Sequence, residues 1–313
     1  MMVFIFVFSS LGGCNESVHD RAATRASLDD RSTDVLAFYS EQSPTTDPGR
    51  HAALFDDIRG DVRHIVDAVQ RVLVRPEVAE RESSSFSQRR TRRHVNTPIV
   101  EEMLSEIIRA DGRSLTERRS VEDRFVAICA QYAMLTASLL RYHNIPARAR
   151  GGFETHISET KHHDHWITEY WDQQSGQWFR VDAEIEGLAT VAGSETQFDA
   201  FDVPHDAFAT GAEAWRRCRK EGVSPDRYGI AGDGWYGGWD FVLNELLLDF
   251  NALNRVESLP WDNTVVSRRG YNRLSAEDLR LLDDVAEAVL NVNRDFSRVR
   301  DLFRLHPQLR KGD

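Results

Sequence analysis

The sequence predicts an α+β fold in which a long helix packs on an antiparallel sheet. An apolar, helix-like run over about residues 127–142 ends just before Ile145-Pro146, where the proline favours extended backbone in the residue before it. Three strand-like segments follow in close succession, at 146–153, 164–172 and 177–183. The last two are joined by a short loop that contains Gly176, as is typical of a hairpin. This order differs from the βαβ alternation of a doubly wound sheet.

Helical periodicity flanks the central segment on both sides. Apolar residues from Leu54 to Leu73 fall on one stripe that Pro76 stops, and a shorter helix follows Thr97-Pro98. After the strands, further helices are predicted at 205–221, 239–256 and 275–292. We therefore predict four parts: a disordered or signal-like segment (1–32), a helical N-terminal region (33–118), a central core (119–200) and a helical C-terminal region packed on the core (201–313).

The composition is that of an ordinary globular protein, with 41% hydrophobic and 28% charged residues among 313. The net charge of -11 argues against a general nucleic-acid role, which would need a basic face or stripe. The basic cluster at 89–94 is interpreted as a solvated surface loop, with a phosphate or anion contact as the alternative.

The N-terminus leaves the localisation open. Three cysteines, at 14, 129 and 218, do not make a disulfide framework, which favours a cytoplasmic protein. However, Met1 to Leu11 is apolar, and Leu11-Gly12-Gly13-Cys14 resembles the lipid-attachment box of bacterial lipoproteins, so a lipid-anchored or exported protein is the alternative. No other segment approaches the ~20 apolar residues that span a bilayer, and no stable membrane span is predicted.

The candidate catalytic residues are Cys129, His165 and Asp182. The cysteine opens the central helix, the histidine lies in a strand, and the aspartate ends the next strand. In acyl transfer a thiolate is the nucleophile, an imidazole moves the proton, and a carboxylate orients the imidazole. A helix start also places the thiol at the positive end of the helix dipole, which lowers its pKa. The three residue types together predict an acyl-transfer site.

Each of these residues also has a structural interpretation. A free cysteine among apolar neighbours is usually a small buried hydrophobe, and an aspartate that ends a strand is usually a turn former. For the histidine there is also a chemical alternative. His163 and His165 stand two apart on a strand, so they could ligate a metal from one side if a third ligand were present.

The combined pattern resembles the transglutaminase-like superfamily, papain-like cysteine enzymes in which the nucleophile precedes His and Asp. The segment 144–148, Asn-Ile-Pro-Ala-Arg, is similar to the Gly-Ile-Pro-Ala-Arg segment of that family. His165 and Glu169 match the spacing of its His-x-Trp-x-Glu motif, and Trp178 and Asp182 match that of its Trp-x-x-Val-Asp motif. Three positions depart from the pattern, namely Ala127 for a glycine, Ile167 for a tryptophan and Ala183 for a proline.

Two other segments resemble an uncharacterised prokaryotic subgroup of the same superfamily. They are Ala214-Trp215-Arg216-Arg217-Cys218 and Leu259-Pro260-Trp261-Asp262. The resemblance implies a cysteine-dependent enzyme acting on the amide or peptide bond of a peptide, a protein or a small amide, with hydrolysis favoured over transamidation. A catalytically silent binding or scaffold module is the alternative, because one fold can serve several functions. No cofactor and no obligatory metal are predicted, since no acidic cluster has the spacing of a calcium loop.

Two further expectations concern the surroundings of this site. Glu169 is predicted to form a structural ion pair with Arg148 or Arg150. The glycine-rich loop at 229–239, with Trp235, Tyr236 and Trp239, is predicted to form either one wall or lid of a cleft or an ordinary packed corner. The backbone N–H of Cys129 is a candidate donor to the oxyanion.

Overall fold

A computed structural model describes residues 34–82, 87–185, 188–190 and 197–312. Its helices are α1 (34–40), α2 (Val62–Val72), α3 (Pro76–Glu82), α4 (Gln88–Val95), α5 (Val100–Ala110), α6 (Cys129–Tyr142), α7 (Gly211–Lys220), α8 (Trp239–Ala252), α9 (Ala276–Leu290) and α10 (Phe296–Leu305). Its strands are β1 (Leu73–Val74), β2 (Phe125–Val126), β3 (Ala147–Glu154), β4 (His162–Asp172), β5 (Gln177–Val181), β6 (Leu188–Thr190), β7 (Gln197–Asp199), β8 (Phe208–Thr210), β9 (Tyr228–Ala231) and β10 (Trp235–Gly237). This composition confirms the predicted α+β class.

The central sheet has the order β10-β9-β4-β3-β8, and β5 also pairs with β4. Its pairings are antiparallel except the one between β9 and β4, so the sheet is mixed rather than wholly antiparallel. Strands β9 and β5 use the same edge of β4: β9 pairs with His162 and His163, and β5 pairs with Thr168 to Asp172. Residues 164–167 lie between these two pairings, and this interval contains the candidate histidine.

Helix α6 is the central element of the larger core. Nearly every side chain from Ala130 to Arg141 is buried, because the sheet lies on one side of the helix and α2 on the other. Trp166 and Val181 of the sheet and Ile65 of α2 belong to the same apolar cluster. Burying a large apolar side chain contributes about 1.5–3 kcal/mol, so this packing fixes where the helix begins.

A second apolar cluster joins the C-terminal helices to the far part of the sheet. It contains Phe153 of β3, Trp215 of α7, Phe250 of α8 and Val289 of α9. The predicted C-terminal helices are therefore present, and α8 contacts β3 directly. The proposed division at residues 118 and 200 stays a prediction, although β8, β9 and β10 from the last segment join the central sheet.

Four predicted segments differ in detail. The helix predicted from Leu54 is a 3-10 helix (Gly49–Phe55) followed by α2, because Asp61 accepts the N–H of His64 and starts a new helix. The basic cluster at 89–94 lies in helix α4, so the predicted loop is wrong; Ser87 caps that helix by accepting the N–H of Arg90.

The third difference is the glycine-rich segment 229–239, which forms the hairpin β9–β10 before α8 begins. The helix predicted from 205 begins only at Gly211, because β8 precedes it and Thr210 caps it. The signal-like segment predicted for 1–32 lies outside the described residues. Within the described part of the chain, no helix has the length and apolarity needed to cross a membrane.

Candidate active site

Cys129 is the first residue of α6, as the sequence predicts, and a buried glutamine two residues further fixes this helix end. The side-chain oxygen of Gln131 accepts the N–H of Ile128 at 3.0 Å. Its amide nitrogen donates to the carbonyls of His94 and Thr97, at 2.7 and 2.8 Å. The glutamine thus ties the start of the helix to the segment after α4, which holds the thiol in a defined place.

The chain just before the cysteine is also held by buried contacts. The N–H of Ala127 donates to the carbonyl of Val74, continuing the β1–β2 pairing. The ring of His94 stacks on Phe125 at 4.1 Å, and its Nδ1 accepts the N–H of Val126 at 3.1 Å. Burial lowers the pKa of His94 to about 4, so the ring is a neutral acceptor near neutral pH. Sequence reasoning placed this histidine in a solvated loop and missed its supporting role.

His165 and Asp182 come together across the interval between β9 and β5. The Nε2–H of the histidine donates to Oδ2 of the aspartate at 2.6 Å, and both side chains are buried. The other aspartate oxygen, Oδ1, accepts the N–H of Glu184 at 2.9 Å. The Sγ atom of Cys129 lies within 4.8 Å of the His165 ring and of the Glu184 carboxylate. All three candidate residues therefore meet in one place, although only their spacing in the sequence pointed to it.

In Cys129 and His165, burial shifts the pKa in one direction and the neighbouring polar groups shift it in the other. Burial raises the pKa of the Cys129 thiol to about 12, against the lowering effect of His165. For His165 burial disfavours the charged ring, but the carboxylate of Asp182 raises the pKa well above its usual range. The net shift of the thiol pKa is upward because burial is the largest effect on it, and the lowering by the helix dipole stays a prediction. A thiolate here is favourable only as an ion pair with the imidazolium.

Glu184 is a fourth member of the site that sequence reasoning missed. Its Oε2 lies 3.9 Å from Nδ1 of His165, and its side chain is 15% exposed. Burial raises the pKa of this carboxyl to about 7. The amide of Gln70 donates to the carbonyls of Ala183 and Ile185, at 3.2 and 2.9 Å, and so holds the loop that carries the glutamate. The only sequence signal was its position two residues after the aspartate.

A cleft of about 450 Å³ opens over the thiol and the imidazole. Apolar side chains form its walls, among them Ile157, Ile185, Ile230 and Trp261, while Glu154, Asp164 and Glu184 add carboxyl groups. Of the glycine-rich segment 229–239, Ile230 and Ala231 line the cleft, but the three aromatic residues predicted to form its wall are not among the described residues that line it. Two of these aromatic residues have other contacts. Trp239 stacks on Tyr271 at 4.1 Å in a packed corner, and Trp235 contacts His163.

Two buried carboxyl groups meet beside this cleft. Asp164 lines the cleft one residue before His165, and its carboxyl group interacts electrostatically with that of Glu245 on α8. Asp164 Oδ1 and Glu245 Oε2 are both shielded from solvent and accept no hydrogen bond from the described residues. The glutamate is 1% exposed. Burial raises the pKa of Asp164 to about 7 and that of Glu245 well above its usual range. Two carboxyl groups in this arrangement satisfy each other only by sharing a proton.

The sequence predicts His163 as the second metal ligand beside His165, but the structure places other donors next to His165. The ring of His163 packs edge-on against Trp235, at 5.1 Å between ring centroids. The group whose ligand atoms converge among the described residues consists of Cys129, His165 and Glu184, all within 4.8 Å of one another.

The ion pair predicted for Glu169 lies at the other end of the same strands. Its Oε2 accepts from Arg148 and Arg150, each at 2.7 Å, and its Oε1 lies 3.3 Å from Arg180. Arg150 also pairs with Asp249 of α8 at 2.7 Å. The predicted structural ion pair is thus part of a larger buried network.

Comparison with known proteins gives one family match. Residues 108–183 match the model of the transglutaminase-like superfamily core. A crystal structure from Cytophaga hutchinsonii, described as that of a "putative cysteine protease", aligns with 56% of this chain and 45% of its own, at 17% identity and a TM-score of 0.32. No curated protein matches the chain. The family match confirms the similarity to the transglutaminase-like superfamily that the motifs predict, over the segment that carries Cys129, His165 and Asp182.

Proposed function

We propose that this protein is a cysteine-dependent acyl-transfer enzyme that acts on an amide or peptide bond through Cys129, His165 and Asp182. One observation carries the proposal: the imidazole lies between a carboxylate at 2.6 Å and a thiol whose sulfur is within 4.8 Å of the ring, at the base of an open cleft. This is the arrangement that nucleophilic catalysis by a thiol requires. The family match supports a cysteine enzyme in the coarse sense.

The reaction would begin when the thiol proton moves to the imidazole as sulfur attacks the carbonyl carbon. Asp182 stabilises the imidazolium that forms, and this ion pair offsets the burial of the thiolate. The imidazolium then gives its proton to the leaving amine as the C–N bond breaks and a thioester forms. The backbone N–H of Cys129, at the start of α6, is the candidate donor to the tetrahedral oxyanion.

Release of the acyl group needs a second nucleophile. Water attacks the thioester carbonyl in hydrolysis, with His165 taking the proton, and an amine does so in transamidation. We favour hydrolysis because the cleft is open and water needs no binding pocket of its own. The acyl donor would be a peptide, a protein or a small amide, since the apolar walls and acidic groups of the cleft fit no single one of these substrate classes better.

One observation favours the alternative of a catalytically silent module. The burial of Cys129 raises its thiol pKa to about 12, and an isolated thiol with that pKa is a poor nucleophile near neutral pH. Catalysis therefore depends on coupling to His165. A fold of this kind that had lost the coupling would keep the cleft and serve only in binding.

The alkylation rate of Cys129 against pH decides between the two. We would measure it by mass spectrometry with iodoacetamide and a chelator present, in the wild type and in His165→Ala, with Cys218 as the internal control. Cys218 is buried in α7, away from the cleft, and burial raises its thiol pKa to about 12 as well. Cys129 has an imidazole beside it and is partly exposed to the cleft, whereas Cys218 is buried, so the His165→Ala variant is what isolates the effect of the imidazole.

For an acyl-transfer enzyme we expect Cys129 to be alkylated rapidly near neutral pH. The His165→Ala variant should lose about 100-fold or more of that rate, because burial alone then governs the thiol. A Cys129 rate equal to that of Cys218 in both proteins would overturn the proposal and leave the silent module.

A further inference from the structure

We propose that Cys129, His165 and Glu184 form a binding site for a thiophilic divalent cation, with Zn²⁺ as the ion that best fits their donors. One thiolate, one imidazole and one carboxylate are ligand types that zinc takes. Three protein ligands with an open fourth position are the arrangement of a reactive, exchangeable zinc site. The cleft above the thiol supplies that open position.

The distances among the three ligand atoms fit a zinc ion if these atoms move slightly closer together. The three ligand atoms lie within 4.8 Å of one another, and Nδ1 of His165 is 3.9 Å from Oε2 of Glu184. Ligand atoms about 2.0–2.3 Å from a tetrahedral zinc are separated by about 3.5 Å. Each side chain therefore needs to move by less than about 1 Å, which a change in the glutamate side-chain torsions can provide.

The histidine is already oriented as a metal ligand. Its Nε2–H is held by Asp182 at 2.6 Å, which leaves Nδ1 with its lone pair directed to the other two donors when the ring is neutral. A ligating histidine usually donates its other N–H to a carboxylate, and this contact raises its basicity as a ligand. The same aspartate accepts the N–H of Glu184 and so positions the third ligand.

Glu184 supplies the independent sign of a missing ligand. Its Oε2 is shielded from solvent and accepts no hydrogen bond from any residue in the described ranges. Its other oxygen, Oε1, is 3.9 Å from Arg75, a distance at which the pairing is loose. A shielded carboxylate oxygen without a donor costs free energy, and a cation bound at the thiol would relieve that cost.

Metal binding would compete with catalysis for the same lone pairs. Zinc takes the thiolate and the neutral imidazole, so binding releases the thiol proton and any proton on Nδ1. Sulfur is then no longer free to attack a carbonyl carbon. The cation would act as a reversible blocking ligand rather than a cofactor. This inhibition rests on the proposed function, whereas the binding itself does not.

The test reads metal binding without a substrate. Purified protein is stripped with a chelator and titrated with Co²⁺, whose thiolate charge-transfer absorption reports coordination by sulfur, and bound Co²⁺ is then displaced with Zn²⁺. The variant is Glu184→Gln. The matched control is Glu154→Gln, a carboxylate that lines the same cleft but lies outside the converging ligand group.

We expect a stoichiometric thiolate band in the wild type and in Glu154→Gln, and a loss of Zn²⁺ affinity of about 10-fold or more in Glu184→Gln. Zinc should also protect Cys129, but not Cys218, from alkylation. Absence of the band, or equal Zn²⁺ affinity in Glu184→Gln and the wild type, would overturn the site. Slow alkylation of Cys129 in stripped protein would instead count against the proposed function, so the two failures are separable.

Discussion

The two ends of the β3–β4 pair bury charge in opposite ways. At one end, Glu169 contacts three arginines, and Asp249 pairs with one of them. At the other end, the carboxyl groups of Asp182 and Glu184 lie beside the His165 imidazole, and those of Asp164 and Glu245 interact with each other next to it. The guanidinium group of Arg75 lies near these carboxyl groups, with its Nε 3.9 Å from Oε1 of Glu184. One set of strands thus carries a cation-rich cluster and a carboxyl-rich cluster.

The difference separates charges that hold the fold from charges kept for chemistry. Burial would raise the pKa of Glu169, but Arg150, Arg148 and Arg180 together lower it well below its usual range. Without such cations, burial raises the pKa of Glu184 to about 7 and that of Glu245 well above normal. A buried carboxyl group whose pKa is raised reduces stability when it ionises, and such groups are common at functional sites. Burial also raises the pKa of Asp249 at the arginine end, so the contrast rests on the Glu169 carboxylate.

The largest expected effect is on reactivity at the carboxyl-rich end. Replacing Asp182 by Asn should lower the rate at which Cys129 is acylated by about 10²- to 10⁴-fold, because an amide neither stabilises the imidazolium nor enforces the tautomer. Single-turnover acylation with an activated ester, followed by mass spectrometry, measures this rate. Asp202→Asn, at an exposed carboxylate, is the control and should leave the rate unchanged. Equal rates in both variants would remove Asp182 from the mechanism.

The next effect is on stability at the arginine end. Glu169→Gln should lower the free energy of unfolding by about 3–5 kcal/mol, because three buried guanidinium groups lose their shared carboxylate. Denaturant unfolding at neutral pH checks this value. Glu41→Gln is the control: this glutamate pairs with Arg255 but its side chain is 69% exposed, so a change of at most about 1 kcal/mol is expected. A small loss in Glu169→Gln would mean that the network does not support the fold.

The smallest expected effect is a gain in stability, in contrast to the loss expected for Glu169→Gln. Glu245→Gln should raise the free energy of unfolding at pH 8 by about 1–3 kcal/mol, because it replaces a strained carboxyl pair by an amide that can donate to Asp164. The same unfolding measurement at pH 8 and pH 5 tests this. If Glu245→Gln is destabilised as strongly as Glu169→Gln, the Glu245 carboxyl supports the fold as the Glu169 carboxylate does, and the contrast between the two clusters is wrong.

The pH dependence gives this prediction a second check. In the folded wild type the pKa of Asp164 is raised to about 7 and that of Glu245 is raised further. The pair therefore contributes stability that is fully present below about pH 4, where the unfolded groups titrate, and is lost as pH rises through about 7. The advantage of Glu245→Gln should thus shrink between pH 8 and pH 5. An advantage independent of pH would rule out the shared proton.

Sequence reasoning found the elements that local pattern specifies. The helix beginning at Cys129, the strands that follow Pro146 and the helix near 239–256 all appear, because apolar periodicity and proline act within a few residues. It failed where the decisive contact is distant. The arginine-rich segment at 89–94 is polar by composition, yet His94 is buried because Phe125 and Val126 contact it from another part of the chain.

The sequence by itself determined the α+β class, the order of the candidate nucleophile, imidazole and carboxylate, and the ion pair of Glu169. Only the tertiary structure decided which groups share the cleft. Glu184 reaches His165 because Gln70 of α2 holds its loop, and Asp164 meets Glu245 because α8 packs on β3. The physical reason is that pKa and ligand geometry depend on burial and on neighbours within a few ångströms, and these neighbours come from distant parts of the chain.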